Sequence, residues 1–462
     1  MNHFGDRVEN LKIAYIGGGS RGWAWGLMSD LAAASDISGQ VALYDIDLEA
    51  AKANAVIGNK YNDLPEARSR WDYRAVESLE AALTGADFVV ISILPGTFKE
   101  MESDVHAPEE YGIYQSVGDT VGPGGIIRAL RTIPMFETIG KAIRDFCPKA
   151  WVINYTNPMS MCVRTLYKVF PEIRAFGCCH EVFATQRFLA KCLEQKLGIP
   201  APDRSNIKVT VTGVNHFTWL TSAHYGNIDI MDIYRDFCKE MLATGFDKGK
   251  DDNWMNKHFG SYNQVKMDLF LRYGSIAAAG DRHLAEFCEG KQYLADPATA
   301  QSWGFGLTPV SWRIENLEER LETSRKLVSG EKPVTIRTTG EEGVEQIRAL
   351  LGLQDLITNV NLPNRGQIPN LPLDAVVETN AIFRAGTLTP ELAGPIPMPI
   401  YGQITRIVAE QEQVVEAAME RNLEKAYNAF RNDPQVTIPG PQSRELFDKM
   451  VANTSAYLQE YL

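Results

Sequence analysis

Three glycines, Gly17, Gly19 and Gly22, stand in a G-x-G-x-x-G frame directly after the apolar run Lys12–Ile16, with Ser20 inside the loop. In such a frame the first glycine permits a tight turn and the second lets backbone approach a pyrophosphate. The third allows close helix–strand packing, while N–H groups of the following helix face the anion. Asp45 ends the next apolar run, 28 residues after Gly17, where a carboxylate can accept a hydrogen bond from a ribose 2′-OH; Asp47 is the neighbouring alternative. A carboxylate at that point disfavours a 2′-phosphate, so the spacing predicts NAD rather than NADP. The competing account is a glycine-rich turn beside a surface aspartate.

Four further groups combine chemistry-bearing side chains with turn signals. Gly118-Asp119-Thr120-Val121-Gly122-Pro123-Gly124-Gly125 precedes a helical stretch carrying Arg128 and Arg131. We read it as a loop near the nicotinamide or the substrate. Asn154-Tyr155-Thr156-Asn157-Pro158 falls at a predicted strand end, where ligands bind in parallel sheets; Asn157 offers both a donor and an acceptor for sugar hydroxyls. Cys178-Cys179-His180-Glu181 also follows a strand, and Asn215-His216 comes about one hairpin later. A Cys and a His are too few for a closed structural zinc site but leave positions open for substrate oxygens. A buried free thiol and a hydrogen-bonded imidazole would explain the same residues.

The elements that must position these groups alternate in type up to about residue 200. Strands are expected at Lys12–Ile16, Val41–Asp45, Trp71–Ala75, Asp87–Ile93, Trp151–Asn154 and Ile173–Gly177. Helices are expected at Trp23–Ala34, Leu48–Lys60, Ile126–Phe146, Met159–Val169 and Phe183–Leu197. Alternation implies an α/β fold, a Rossmann-type doubly wound parallel sheet with right-handed crossovers. Beyond Pro200-Ala201-Pro202 two strands, Ile207–Val214 and His216–Tyr225, give way to mainly helical texture, and one long helix is expected over Tyr401–Arg431. Leu356–Val360 and Ala375–Glu378 are too short for periodicity to assign. The division is an NAD-binding domain over 1–200 and an α+β, mainly helical domain over 201–462, which carries substrate, metal and oligomer contacts.

Composition bounds the function. The 462 residues hold 46 Lys+Arg against 58 Asp+Glu, a net charge of -12, which argues against a nucleic-acid partner. Seven cysteines at irregular spacing suit reduced thiols. The polar N-terminus lacks a signal core and no apolar run could span a bilayer. A cytoplasmic protein without membrane contact is expected.

Taken together, the motifs resemble glycoside hydrolase family 4, the NAD- and metal-dependent glycosidases. The resemblance rests on Ile16–Ser20, Gly118–Pro134, Asn154–Pro158, Gly177–Val182, Gly213–Trp219 and Met267–Asp281, in the family's order. It implies a divalent metal, usually Mn²⁺, on Cys179 and His216. The form Cys179-His180-Glu181-Val182 resembles the α-galacturonidase branch, which implies a small sugar-acid glycoside as substrate. Arg21-Gly22-Trp23-Ala24-Trp25 departs from the family's usual Thr-Pro continuation and is expected to reshape the pocket wall.

The chemistry so implied is oxidation at the sugar C3 by NAD⁺, loss of the C2 proton, elimination of the C1 group, water addition and re-reduction. By match, Asp281 is the expected base, with Tyr273 as the fallback. His180 is the expected acid or a substrate contact. Asn157 and Asp119 are expected at the substrate, and Arg131, Arg282, Arg272 and His283 are the candidates for reading a C6 carboxylate. The family resemblance implies a homodimer or homotetramer. The alternatives are an α-glucosidase or α-glucuronidase of the same family, or a net NAD-dependent dehydrogenase of the malate or lactate type.

Overall fold

A strand covered on both faces needs apolar side chains on both, and six short segments approach that condition, the edge strand Trp71–Val76 least because Asp72 and Arg74 are polar and exposed. They are Arg7–Ile16, Ile37–Tyr44, Trp71–Val76, Phe88–Ile91, Trp151–Asn154 and Arg174–Gly177. The computed structural model describes residues 1–247, 260–307 and 309–462. In it these strands lie parallel, and numbered along the chain their order is 3-2-1-4-5-6. Successive side chains point to opposite faces. Ile13 and Tyr15 enter one buried cluster with Leu43, Val90 and Phe176, whereas Ala14 and Ile16 enter another with Val89, Ile91 and Val152. Each fully buried Leu, Ile or Phe contributes roughly 1.5–3 kcal/mol, so the two faces together hold the sheet.

That strand order reverses between Arg7–Ile16 and Phe88–Ile91, and the crevice at such a reversal is where doubly wound sheets bind ligands. The helices Trp23–Ala33, Leu48–Lys60, Gly122–Phe146 and Met159–Val169 cross over between the parallel strands and Glu181–Leu197 leaves the sixth, all within a few residues of their expected bounds. No helix among the described residues is long and apolar enough to cross a membrane.

The second half of the chain supplies two things. A four-stranded antiparallel sheet contains Ile207–Val214 and Phe217–Tyr225, joined by a two-residue turn because Val214 pairs with Phe217. Three strands, Leu356–Pro363, Val376–Arg384 and Thr387–Pro390, then extend the first half's own sheet, joining it antiparallel where Asn361 pairs with Gly177. The two segments that periodicity left unassigned are therefore strands of the main sheet, and residues on both sides of position 200 share it.

The single helix expected over Tyr401–Arg431 is two helices, Met398–Met419 and Leu423–Asn432. Arg421 turns the chain with a left-handed φ of 56°, and Asn422 caps the second helix by accepting the Lys425 N–H at 3.0 Å. Apolar periodicity continues across the break, which is why the pattern alone hides it.

Candidate functional site

The glycine loop leaves the first strand at the reversal point. Gly17 has φ +94°, and a Cβ there would lie 2.0 Å from the Ser92 carbonyl oxygen of the neighbouring strand end, so only glycine fits. The Asp45 carboxylate accepts the Gly19 N–H at 2.8 Å and the Asp47 N–H at 2.9 Å, which clamps the loop while leaving lone pairs for a further donor. Ser20 closes the turn, its N–H donating to the Gly17 carbonyl at 3.0 Å. Gly22 immediately precedes the helix Trp23–Ala33. Asp47, the alternative ribose ligand, caps the helix Leu48–Lys60 through the Ala50 N–H at 3.0 Å. Asn54, which sequence reasoning passed over, donates to the carbonyls of Gly18 and Ser20 and fixes the loop from below. The cradle suits a dinucleotide.

The candidate ligand groups converge from three separate segments. One ligand atom each of Asp119, His216 and His283 lies within 4.8 Å of the others. The His216 and His283 rings stack with centroids 3.8 Å apart. The Thr120 hydroxyl bridges Asp119 Oδ1 at 2.7 Å and His216 Nδ1 at 2.8 Å. His216 occupies the two-residue turn between its strands with φ 65°, a conformation costly for a side chain of this size and held there by the hairpin. Burial, with His283 alongside, pushes His216 down to about 3, and burial also lowers His283; both imidazoles are neutral and able to ligate. Burial alone would raise Asp119, but the Arg128 guanidinium and the hydrogen bond from the Thr120 hydroxyl hold it down. His283 Nδ1 and Asn157 Oδ1 are buried without a hydrogen-bond partner. Two imidazoles, one of them with an unspent ring nitrogen, and one carboxylate form a donor set that fits a divalent cation.

Cys179 lies at the end of the sixth parallel strand, and burial together with Glu378 and Glu181 raises its thiol well above the usual range. The C-terminal strands support it: Asn359 donates to the Cys179 carbonyl at 3.2 Å and to Glu378 at 2.6 Å, and Glu378 also accepts the Thr218 hydroxyl at 2.7 Å. Neither Asn359 nor Glu378 carries a local sequence signal. His283 was expected at a substrate carboxylate and is found instead beside His216. Glu181, read only as part of a motif, faces His283, His180 and His216. Burial would raise it, but the protonated His180 and the Gly280 N–H hold it down.

The remaining expected residues divide. Asn157 donates to Asp119 Oδ2 at 3.2 Å and so joins the cluster. His180 pairs through Nδ1 with Glu341 at 3.0 Å; burial opposes its charge, but Glu341 and then Glu181 raise it to about 9. Trp23, from the segment expected to reshape the wall, sits 5.7 Å from the Tyr155 ring and 6.5 Å from the His180 ring. Asp281 is fully buried and accepts the N–H groups of Val265 and Lys266 at 3.2 and 3.1 Å. Tyr273 packs edge-on against Trp219 at 6.1 Å. Arg131 makes a buried bidentate pair with Asp104 at 3.0 and 2.6 Å, which commits one fork of its guanidinium to the protein. Arg282 donates to the carbonyls of Ser116 and Gly306, and Arg272 is exposed and pairs with Asp268.

Residues 12–195 match the family model described as family 4 glycosyl hydrolase, and residues 211–436 match that of the family's C-terminal domain. The chain belongs to glycosyl hydrolase family 4. Among relatives of this family 4 protein, the alpha-galacturonidase of Thermoanaerobacterium saccharolyticum is 57% identical, over 99% of this chain and 98% of the relative. The crystal structure of lplD from Bacillus subtilis superposes with a TM-score of 0.91 at 49% identity, covering 96% of this chain and all of that one (100%). A 6-phospho-alpha-glucosidase from gut microorganisms, solved in complex with NAD and Mn2+, shares the fold with a TM-score of 0.78 at 18% identity, over 97% and 99% of the two chains.

Proposed function

We propose that this family 4 protein is an NAD- and divalent-metal-dependent glycosidase that cleaves α-galacturonides. The observation that carries the reading is the meeting of Asp119, His216 and His283, joined through Asn157 to the carboxyl ends of the parallel sheet that also carries the glycine cradle and its ribose-side carboxylate. The name of the 57% identical relative supports the sugar acid. When bound, the dinucleotide supplies reversible hydride removal at C3, and the cation supplies Lewis-acid polarisation of the neighbouring sugar oxygens.

The chain's own residues do the rest. Cys179 and His216 are the proposed principal ligands, with Asp119 and His283 completing or steering the set. Asn157, tied to Asp119, orients ring hydroxyls. Asp281 is the proposed base for the C2 proton. Burial raises its carboxyl to about 6, near the range where a carboxylate abstracts protons efficiently, against the pull of Lys266 and of the backbone amides of Lys266, Val265 and Gln264. Tyr273 is the fallback. His180, which Glu341 keeps protonated near neutrality, is the proposed donor to the leaving group. All seven cysteines are free, which suits the reducing cytoplasm we propose as its place of action, as a homodimer or homotetramer.

A panel of nitrophenyl α-glycosides, assayed with NAD⁺, Mn²⁺ and a thiol reductant, tests the reading. The expected result is cleavage of the α-galacturonide without net NADH, lost on chelation or on removal of the dinucleotide. Cleavage of the α-glucoside or α-glucuronide instead would overturn the substrate, and sustained NADH accumulation would point to a dehydrogenase.

A further inference from the structure

A sugar acid brings one feature that neutral glycosides lack, a carboxylate at C6, and its reader should be a buried guanidinium with donors to spare. Arg131 is committed to Asp104, Arg282 is clasped by two carbonyls, and Arg272 faces solvent with Asp268. Arg128 differs from all three. It is 5% exposed, and among the described residues its guanidinium makes one hydrogen bond to protein, from Nε to the Asn157 carbonyl at 3.2 Å.

That bond also locates it. Asn157 donates in turn to Asp119, so Arg128, Asn157 and Asp119 form a continuous chain from the helix Gly122–Phe146 to the metal-type cluster. The local charge leaves room for an anion. Asp104 is neutralised by Arg131, and Asp119 faces the cluster that suits a cation. Arg128 shares the field of Asp119 and Asp104 but hydrogen-bonds neither, and a ligand that takes its terminal nitrogens offsets part of the cost of its burial.

We infer that Arg128 is the specificity residue: anchored through Nε on the Asn157 carbonyl, it turns its terminal nitrogens to the C6 carboxylate of the sugar acid. The inference rests on the galacturonide reading above. It assigns the charge discrimination to one side chain rather than to the general basicity of the site.

The test compares kcat/KM for nitrophenyl α-galacturonide and α-galactoside in the wild type, Arg128→Gln and Arg128→Lys, all loaded with NAD⁺ and Mn²⁺. In R128Q the galacturonide-to-galactoside ratio should fall about 100-fold, mainly through KM for the acid, since a buried charge-assisted bond is lost. R128K should recover part of it, because a point charge replaces the fork. An independent readout is binding of free galacturonate against its methyl ester to the same loaded proteins, followed by calorimetry. The wild type should prefer the acid, and R128Q should not. A ratio that stays within about threefold of wild type in R128Q, or equal losses on both substrates, overturns the assignment. If R128Q does not fold, an unchanged ratio in R128K does so. A wild type with no preference for the galacturonide overturns the substrate reading itself, whereas a preference that both variants keep overturns only Arg128.

Discussion

The cofactor cradle and the reactive cluster are built on opposite plans. The cradle is local: Gly17, Gly19, Ser20 and Asp45 lie within one strand–helix–strand unit, and its clamp is a carboxylate on two nearby amides. The cluster is assembled from afar, with Asp119, His216 and His283 each on a different segment, and Cys179 is supported by Asn359 and Glu378 from two further strands. A local device can be damaged piecemeal. A non-local one depends on every segment docking, so single changes there should have larger and less separable effects.

Removing a ligand should give the largest effect. Cys179→Ser is expected to lower kcat/KM by three orders of magnitude or so and to reduce bound Mn²⁺, measured by elemental analysis after dialysis. Full metal content in the variant would break the comparison at its centre. Asp281→Asn comes next, with a loss of roughly 10²–10⁴-fold in kcat if it is the base. Glu181→Gln is its control. Should E181Q abolish exchange of the C2 proton with solvent while D281N only lowers the melting temperature, Asp281 is a helix clamp and Glu181 the base.

In the cradle, Gly17→Ala should cost at least ~2 kcal/mol, from the collision with Ser92 and the left-handed φ, seen as weaker NAD⁺ binding and a lower Tm. An unchanged Kd would mean that the loop does not hold the dinucleotide.

A pH effect tests the long-range docking. Asp433 accepts the Gly122 N–H at 2.8 Å and so ties the C-terminal helices to the loop bearing Asp119; burial, against several hydrogen bonds, pushes it up to about 6 beside Glu410. The folded chain holds this proton more tightly than the unfolded one. The pair therefore stabilises the fold at low pH, and that contribution is lost as pH rises through about 6. Glu410→Gln should flatten the dependence of Tm on pH over that window; an unaltered slope would remove the pair from the account. The smallest effect belongs to Asp47→Ala, about 1 kcal/mol of stability for a lost helix cap with NAD⁺ affinity nearly intact. A large loss of affinity would instead make Asp47 the ribose ligand.

What was legible in the chain follows the same division. The parallel strands, their helices and the glycine loop rest on neighbours in sequence, and all six strands fall where apolar runs and turn residues put them. The motif at Gly118–Gly125 and the pair Asn215-His216 were visible as residue types at strand or turn positions. Their meeting was not, because nothing near His283 announces that it will stack on His216. Arg131 and Arg128 look alike in sequence; only the buried Asp104 separates the committed guanidinium from the available one. The break at Arg421 was invisible for the opposite reason, since both helices bury the same apolar stripe.

The antiparallel strand Leu356–Pro363 has a further consequence during synthesis. The sixth parallel strand, with Cys179 just beyond its end, keeps a bare hydrogen-bonding flank until that distant segment leaves the ribosome. Until then the first half presents an unpaired strand flank of the kind that templates pairing with other chains.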